Sequence, residues 1–229
     1  MSFKDIFNID AEVKESAHAR VNLIGEHTDY TGGYVMPTLL SFKNTIEISK
    51  NNSNEFTVYS QHFKEKKTFN DFKKSTNNEW VDYIKGCLHI FFDENKISSR
   101  FLNIFISSDI PLERGISSSS ALCVATLKAL NTFFETKIKD PEIAKLAKKV
   151  EFNYIGVSGG IMDQMVSSIG IHGKAFFMNC KNLEYELINF PENWKFCLID
   201  SEVQRNLRDS SYNERFAELQ EAEKNLGVE

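Results

Sequence analysis

Thr45-Ile46-Glu47-Ile48-Ser49 and Glu55-Phe56-Thr57-Val58-Tyr59 alternate apolar and polar residues with a period of two, which predicts two half-buried strands. After the polar loop Ser75-Thr76-Asn77-Asn78 the spacing changes. Trp80, Ile84, Leu88 and Phe91 share one helical face and predict a helix over 80–92. Phe101-Leu102-Asn103-Ile104-Phe105-Ile106 reads as a strand running toward Pro111. Beyond it, Leu122, Val124, Ala125, Leu127, Leu130, Phe133 and Phe134 run around most of a helix, which is therefore expected to be buried on nearly every side. Asp140-Pro141-Glu142 places an N-cap residue ahead of a proline at the first helical position, and Ile143, Leu146, Ala147, Val150 and Tyr154 line one face of the helix that follows. Strands are expected near 174–179 and 195–200, and a charged helix over about 211–225. Helices and strands interleave without repeat or linker, so the predicted class is an α+β domain.

Composition narrows the partners. The 229 residues, 41% hydrophobic and 12% aromatic, suffice for a sizeable core. With 27 Lys and Arg against 32 Asp and Glu, the net charge of -5 creates no field for nucleic acid or an anionic membrane. An anionic ligand must therefore be held by a local device. Cys87, Cys123, Cys180 and Cys197 form no C-x-x-C pair and sit in apolar runs, as buried free thiols of a reducing compartment do. Neither a signal-peptide core near Met1 nor a membrane-length apolar run is present, so a cytoplasmic protein is expected.

Pro111-Leu112-Glu113-Arg114-Gly115-Ile116-Ser117-Ser118-Ser119-Ser120-Ala121 joins the strand to the buried helix. A Gly-Ser turn there presents unpaired amides and a partial positive charge, a phosphate site that needs no lysine. The same serines would also serve as a plain N-cap on a core helix. No G-x-x-x-x-G-K-[ST] occurs, which excludes the ordinary P-loop. A denser signal lies in Ala19-Arg20-Val21-Asn22-Leu23-Ile24-Gly25-Glu26-His27-Thr28-Asp29-Tyr30-Thr31-Gly32-Gly33-Tyr34. Arg20, Glu26, His27 and Asp29 are interleaved there with Val21, Leu23 and Ile24, an arrangement suited to polar groups converging on hydroxyls from a rigid wall. In Gly159-Gly160-Ile161-Met162-Asp163-Gln164-Met165 a lone Asp stands ahead of a helix, where by itself it would be an ordinary N-cap.

Together these segments resemble the galactokinase branch of the GHMP kinase superfamily, in the family's order and spacing. The segment around Arg20 is similar to the galactokinase signature, the serine segment to the superfamily's ATP motif, and Gly160 to Gln164 to the block whose Asp faces the phosphate-accepting hydroxyl. Asp200-Ser201-Glu202-Val203 and Ser210-Ser211-Tyr212-Asn213-Glu214-Arg215 are similar to the strand and helix that complete the sugar side. The resemblance implies an ATP-dependent kinase that phosphorylates galactose at its anomeric hydroxyl. Asp163 would be the base and Arg20 its ion-pair partner, neutralising charge on the transferred phosphoryl group. Glu26, His27, Asp29, Gly160 and Tyr212 would bind the sugar, and Gly115, Ser117, Ser118 and Ser119 the nucleotide phosphates. Ser119 and Glu151 would hold Mg²⁺. The resemblance also implies the superfamily's left-handed crossover over 101–134, against the usual hand. Residues 1–200 would form the sugar- and ATP-binding domain and 201–229 the start of a largely absent C-terminal domain, with a monomer expected at full length. A kinase of N-acetylgalactosamine or arabinose, and a non-catalytic sugar and ATP sensor, are the alternatives. Four positions depart from the pattern: His18-Ala19 replaces Pro-Gly, Glu113 a glycine, and Ile116 a leucine.

Overall fold

The structure is a computed structural model and describes residues 1–76, 79–111, 114–200 and 210–227, with the backbone alone for 210–213. The elements are α1 (Phe3–Phe7), β1 (Val13–Asn22), β2 (Tyr34–Val35), β3 (Pro37–Lys50), β4 (Phe56–Ser60), β5 (Glu65–Phe69), α2 (Val81–Asn95), β6 (Leu102–Ser108), α3 (Ser118–Phe133), α4 (Asp140–Lys149), a π-helical turn (Val150–Ile155), α5 (Met162–Ile169), β7 (Lys174–Asn179), β8 (Tyr185–Asn189) and α6 (Ser210–Leu226).

The long β3 organises a mixed sheet of order β2-β7-β3-β6-β4-β5, with β1 on β3 and β8 on β7. β4 and β6 are parallel, so the chain crosses from one to the other through β5 and α2. β6 and β7 are both antiparallel to β3 and hence run in the same direction. The segment from β6 through α3, α4 and α5 to β7 is thus a second crossover, and it carries the serine turn.

Helices α2, α3 and α4 cover one face of the sheet. Ile46, Ile48, Val58, Ile104 and Ile106 meet Ile84, Leu88, Phe91, Leu127, Leu130 and Ile143 there. Each such side chain contributes about 1.5–3 kcal/mol when fully buried. On the other face, Phe3 of α1 packs on Tyr59 and Phe105. A capping box holds α1 in place: Asp5 N donates to Ser2 Oγ at 3.3 Å, and Ser2 N to the Asp5 carboxylate at 2.7 Å. Consequently all five β4 residues are buried, whereas the alternation over 55–59 predicts a strand buried on one face. Covering by α1 explains the difference.

Other expectations shift. β1, rich in charged and small residues, lacks a strand-like hydrophobic pattern, and its pairing with β3 makes it one. Residues 195–200 form no strand; the second strand of that region is β8, while Trp194, Phe196, Leu198 and Ile199 are exposed without a partner edge among the described residues. At α4 the N-cap position is Lys139, and Asp140 lies in the first turn, its carboxylate 3.3 Å from Lys128 Nζ. Cys87 and Cys123 are buried as expected, Cys180 is half-buried, and Cys197, outside any element, is exposed. Among the described residues no helix is long and apolar enough to cross a membrane.

Candidate functional site

The end of β1, the N-terminus of α3 and the N-terminus of α5 meet at one point, and Arg20 stands at their junction. Pairing of β1 with β3 shifts register between His18 and Arg20, bringing Arg20 opposite Leu39. Its guanidinium grips Asp163 in a two-pronged pair, Nε to Oδ1 at 2.6 Å and Nη2 to Oδ2 at 2.7 Å, while Nη1 donates to the Gly115 carbonyl at 3.0 Å. Planar, charge-assisted forks of this kind are roughly twice as strong as neutral hydrogen bonds and fix orientation. Asp163 lies in the first turn of α5, whose N-cap position is Ile161, so its carboxylate serves the site rather than capping the helix.

α3 opens at Ser118 with Ser117 in the N-cap position, at φ 63° and without a side-chain cap bond. The amides of the first turn have no intrahelical acceptors, so geometry and dipole suit this end to an anion. The four serines are bonded to three partners, Ser119 and Ser120 sharing Glu151. Ser117 Oγ donates to Asp163 Oδ2. Ser119 Oγ donates to Glu151 Oε1 at 2.9 Å, and Ser120 Oγ to Glu151 Oε2 at 2.9 Å. The Ser118 carbonyl accepts from Asn44 Nδ2 at 2.9 Å.

Glu151 is buried in the π-helical turn, a form frequent at functional sites. Its second oxygen also accepts from Gln164 Nε2, and burial pushes its carboxyl above the ordinary range. A hydroxyl and a carboxylate side by side fit Mg²⁺, which takes one or two protein oxygens and completes its shell with phosphates and water. No cluster of three or more His, Cys, Asp or Glu able to hold a metal occurs among the described residues. Ser120, Gln164 and Asn44 carry no role in the sequence reading, although Gln164 adjoins Asp163.

The loop after β1 closes through Thr28, whose Oγ1 stands 2.8 Å from both the Gly25 and the Tyr34 carbonyl oxygens. Asp29 then lies against Gly160, where an added Cβ would stand 2.1 Å from Asp29 Oδ2. Burial, and next the charge of Asp163, raise the Asp29 carboxyl to about 6. Glu26 and His27 are exposed on the same loop, with His27 Nδ1 2.5 Å from Tyr30 OH and the Tyr30 ring 5.0 Å from that of Phe216 in α6. Arg114 pairs with Asp200, Nε to Oδ2 at 2.9 Å. Glu113, Ser201, Glu202, Val203 and the Tyr212 side chain lie outside the described residues. Arg20, Asp29, Gly115, Ser117, Ser119, Glu151, Gly160 and Asp163 therefore form one connected group, and Glu26 and His27 stand at its exposed margin.

A mixed sheet with a serine turn on a buried helix defines the class: the GHMP kinases N terminal domain description matches residues 82–170. Within that class residues 1–50 match the galactokinase galactose-binding signature. It is 37% identical over 220 residues to the galactokinase of Pyrococcus furiosus, covering 96% of this chain and 61% of the relative. With that of Fusobacterium nucleatum it shares 34% over 231 residues, 98% of this chain and 59% of the relative. The chain thus spans about three fifths of the curated relatives' length. A crystal structure of Lactococcus lactis galactokinase complexed with galactose superposes with a TM-score of 0.88 at 31% identity, over 98% of this chain and 60% of that one. Methanococcus jannaschii mevalonate kinase shares the fold, at a TM-score of 0.66 and 23% identity over 78% of this chain and 56% of that one.

Proposed function

We propose that the chain carries the sugar- and phosphate-binding half of a cytoplasmic kinase that transfers the γ-phosphoryl group of ATP to the anomeric hydroxyl of galactose. The observation that carries this reading is the Arg20–Asp163 fork set against the serine turn: an acidic proton acceptor, a fixed cation and an anion-binding helix end within hydrogen-bond reach of one another. Phosphoryl transfer asks for little else, because it proceeds by positioning and charge neutralisation.

In this reading Asp163 takes the proton of the anomeric hydroxyl as that oxygen bonds to the γ-phosphorus and the bond to the bridging oxygen breaks, releasing ADP. Arg20 orients Asp163 and neutralises charge on the transferred group. Gly115, Ser117, Ser118 and Ser119 receive the phosphates. Ser119 and Glu151 would hold Mg²⁺ with the nucleotide, and the ion would supply further charge neutralisation. Glu26, His27, Asp29, Gly160 and Tyr212 bind the sugar hydroxyls, and an epimer that leaves one of these groups unpaired is disfavoured by about 1–3 kcal/mol. The test is ATP-dependent phosphorylation across galactose, N-acetylgalactosamine, arabinose and glucose, by residues 1–229 and by any longer reading frame. Galactose 1-phosphate as the main product supports the reading. Preference for another sugar reassigns the pocket, and binding of sugar and ATP without turnover by the longer protein makes it a sensor.

A further inference from the structure

The serine turn is tied to Arg20 at two points and to the proposed base, Asp163, at a third. Arg20 N donates to the Ile116 carbonyl at 3.2 Å, Arg20 Nη1 to the Gly115 carbonyl at 3.0 Å, and the Ser117 hydroxyl to Asp163 Oδ2. Ser117 is the residue whose backbone and side chain disagree in purpose. It occupies the N-cap position of α3, where a serine hydroxyl ordinarily accepts from the amide of the second or third helical residue, yet it makes no such bond and its hydroxyl is turned across to α5. Its left-handed backbone, φ 63°, belongs to the cradle formed with Gly115 at φ 71°. Asp163 Oδ2 therefore holds two donors, Arg20 Nη2 and Ser117 Oγ, which is the usual capacity of one carboxylate oxygen.

We infer that Ser117 is a two-position donor that couples the two substrates: its hydroxyl occupies Asp163 while the turn is empty and moves to a phosphate oxygen when nucleotide fills the turn, freeing Oδ2 for a sugar hydroxyl. This inference rests on the kinase reading above. A hydroxyl can give its proton to one acceptor at a time, and an incoming triphosphate at the α3 N-terminus offers a charged competitor to a carboxylate already satisfied by Arg20. Release of Ser117 restores one acceptor site on Asp163, so nucleotide and sugar strengthen each other's binding, and linkage requires the effect to be reciprocal. Ser117 is a positioning residue in this scheme, acting on the reacting hydroxyl through Asp163.

The experiment is calorimetric titration of residues 1–229 with galactose, alone and with a saturating non-hydrolysable ATP analogue and Mg²⁺, in the parent and in Ser117→Ala and Ser117→Thr. In the parent the analogue is expected to lower the galactose Kd by about 5- to 10-fold, the lower part of the range of known coupling. In Ser117→Ala that ratio falls to near one, galactose alone binds more tightly than to the parent, and the analogue binds more weakly. Ser117→Thr retains the hydroxyl and the coupling. A helix-capping or packing role alone would weaken both ligands without changing the ratio. An undiminished ratio in Ser117→Ala, or weaker binding of galactose alone, overturns the inference and leaves the kinase reading standing. A parent that binds neither ligand, both as residues 1–229 and in a longer reading frame, removes the kinase reading and this inference with it.

Discussion

Asp29 shows how the site acts on the stability of the fold. Its carboxyl is raised to about 6, by burial first and by Asp163 second, against 3.8 for the free side chain. The folded chain therefore holds this proton more tightly than the unfolded one, and the resulting stability is fully present below pH ~4 and lost as pH rises through about 6. Above that, an ionised Asp29 lowers stability by about 3 kcal/mol relative to its protonated form. Asp29→Asn should melt higher than the parent at pH 8 and level with it at pH 4, as thermal unfolding across pH would show; equal melting points at both pH values would remove the burial argument. Asp163→Asn keeps the side chain's shape but removes its charge and one of the two acceptors of the Arg20 fork. In an active longer protein, turnover should drop by roughly 10² to 10⁴ while galactose affinity changes modestly. Turnover within a few-fold of the parent would take Asp163 out of the proton-accepting role. Gly160→Ala drives a methyl into the Asp29 carboxylate. Calorimetry should register at least a tenfold loss of galactose affinity, and unchanged binding would place the sugar elsewhere. Of these residues, Arg20, Asp29, Gly160 and Asp163 are legible in the sequence because the signature motifs contain them. Ser120 and Gln164 lie in the same motifs, but their hold on Glu151 is not legible, because only the π-helical turn brings residue 151 to them.

Among the elements, the junction of α4 and the π-helical turn most directly decides the geometry of the site. The helical face predicted from Ile143, Leu146, Ala147, Val150 and Tyr154 is present, but a uniform 3.6-residue repeat does not foresee that the last of these lie in a wider turn. Gly86 of α2 is where that turn is braced. A Cβ there would approach Tyr154 Cδ1 and Val150 Cγ1, each at 2.9 Å, and the Tyr154 hydroxyl is held on the Phe72 carbonyl. Gly86→Ala would gain about 1 kcal/mol of helix propensity. Overpacking costs about 1–3 kcal/mol. Because the Tyr154 ring is held at both ends, the second effect should win, with a net loss of about 1 kcal/mol in urea unfolding; a stabilised variant would mean that the turn yields freely. β4 teaches a related lesson. Alternation over 55–59 predicts the strand correctly but not its second buried face, since Phe3 is more than fifty residues away in the chain.

At the scale of the whole molecule, the apolar residues after β8 set its solution behaviour. Trp194 is 64% and Ile199 88% exposed, with Phe196 and Leu198 about half exposed beside them. A run of exposed apolar side chains of this kind promotes association. The chain should bind a hydrophobic dye and self-associate on sedimentation with rising concentration, and the double change Phe196→Ser, Ile199→Ser should reduce both; an unaffected double variant would locate the sticky surface elsewhere. The sequence by itself determined the α+β class, the buried α3, the strands centred on 46–48, 57 and 104, and the motifs that bear the chemistry, because these are local: a repeat of two or 3.6 residues, or a glycine and serines before a helix. Tertiary structure alone decided that 13–22 is a strand and 195–200 is not, since hydrogen bonding to a neighbour creates a strand and the hydrophobic pattern only permits one. It alone also decided which partner each serine takes. Arg20 and Asp163 lie 143 residues apart. Their meeting is a property of the crossover between β6 and β7 and of the shifted register of β1 on β3, which no short stretch of sequence contains.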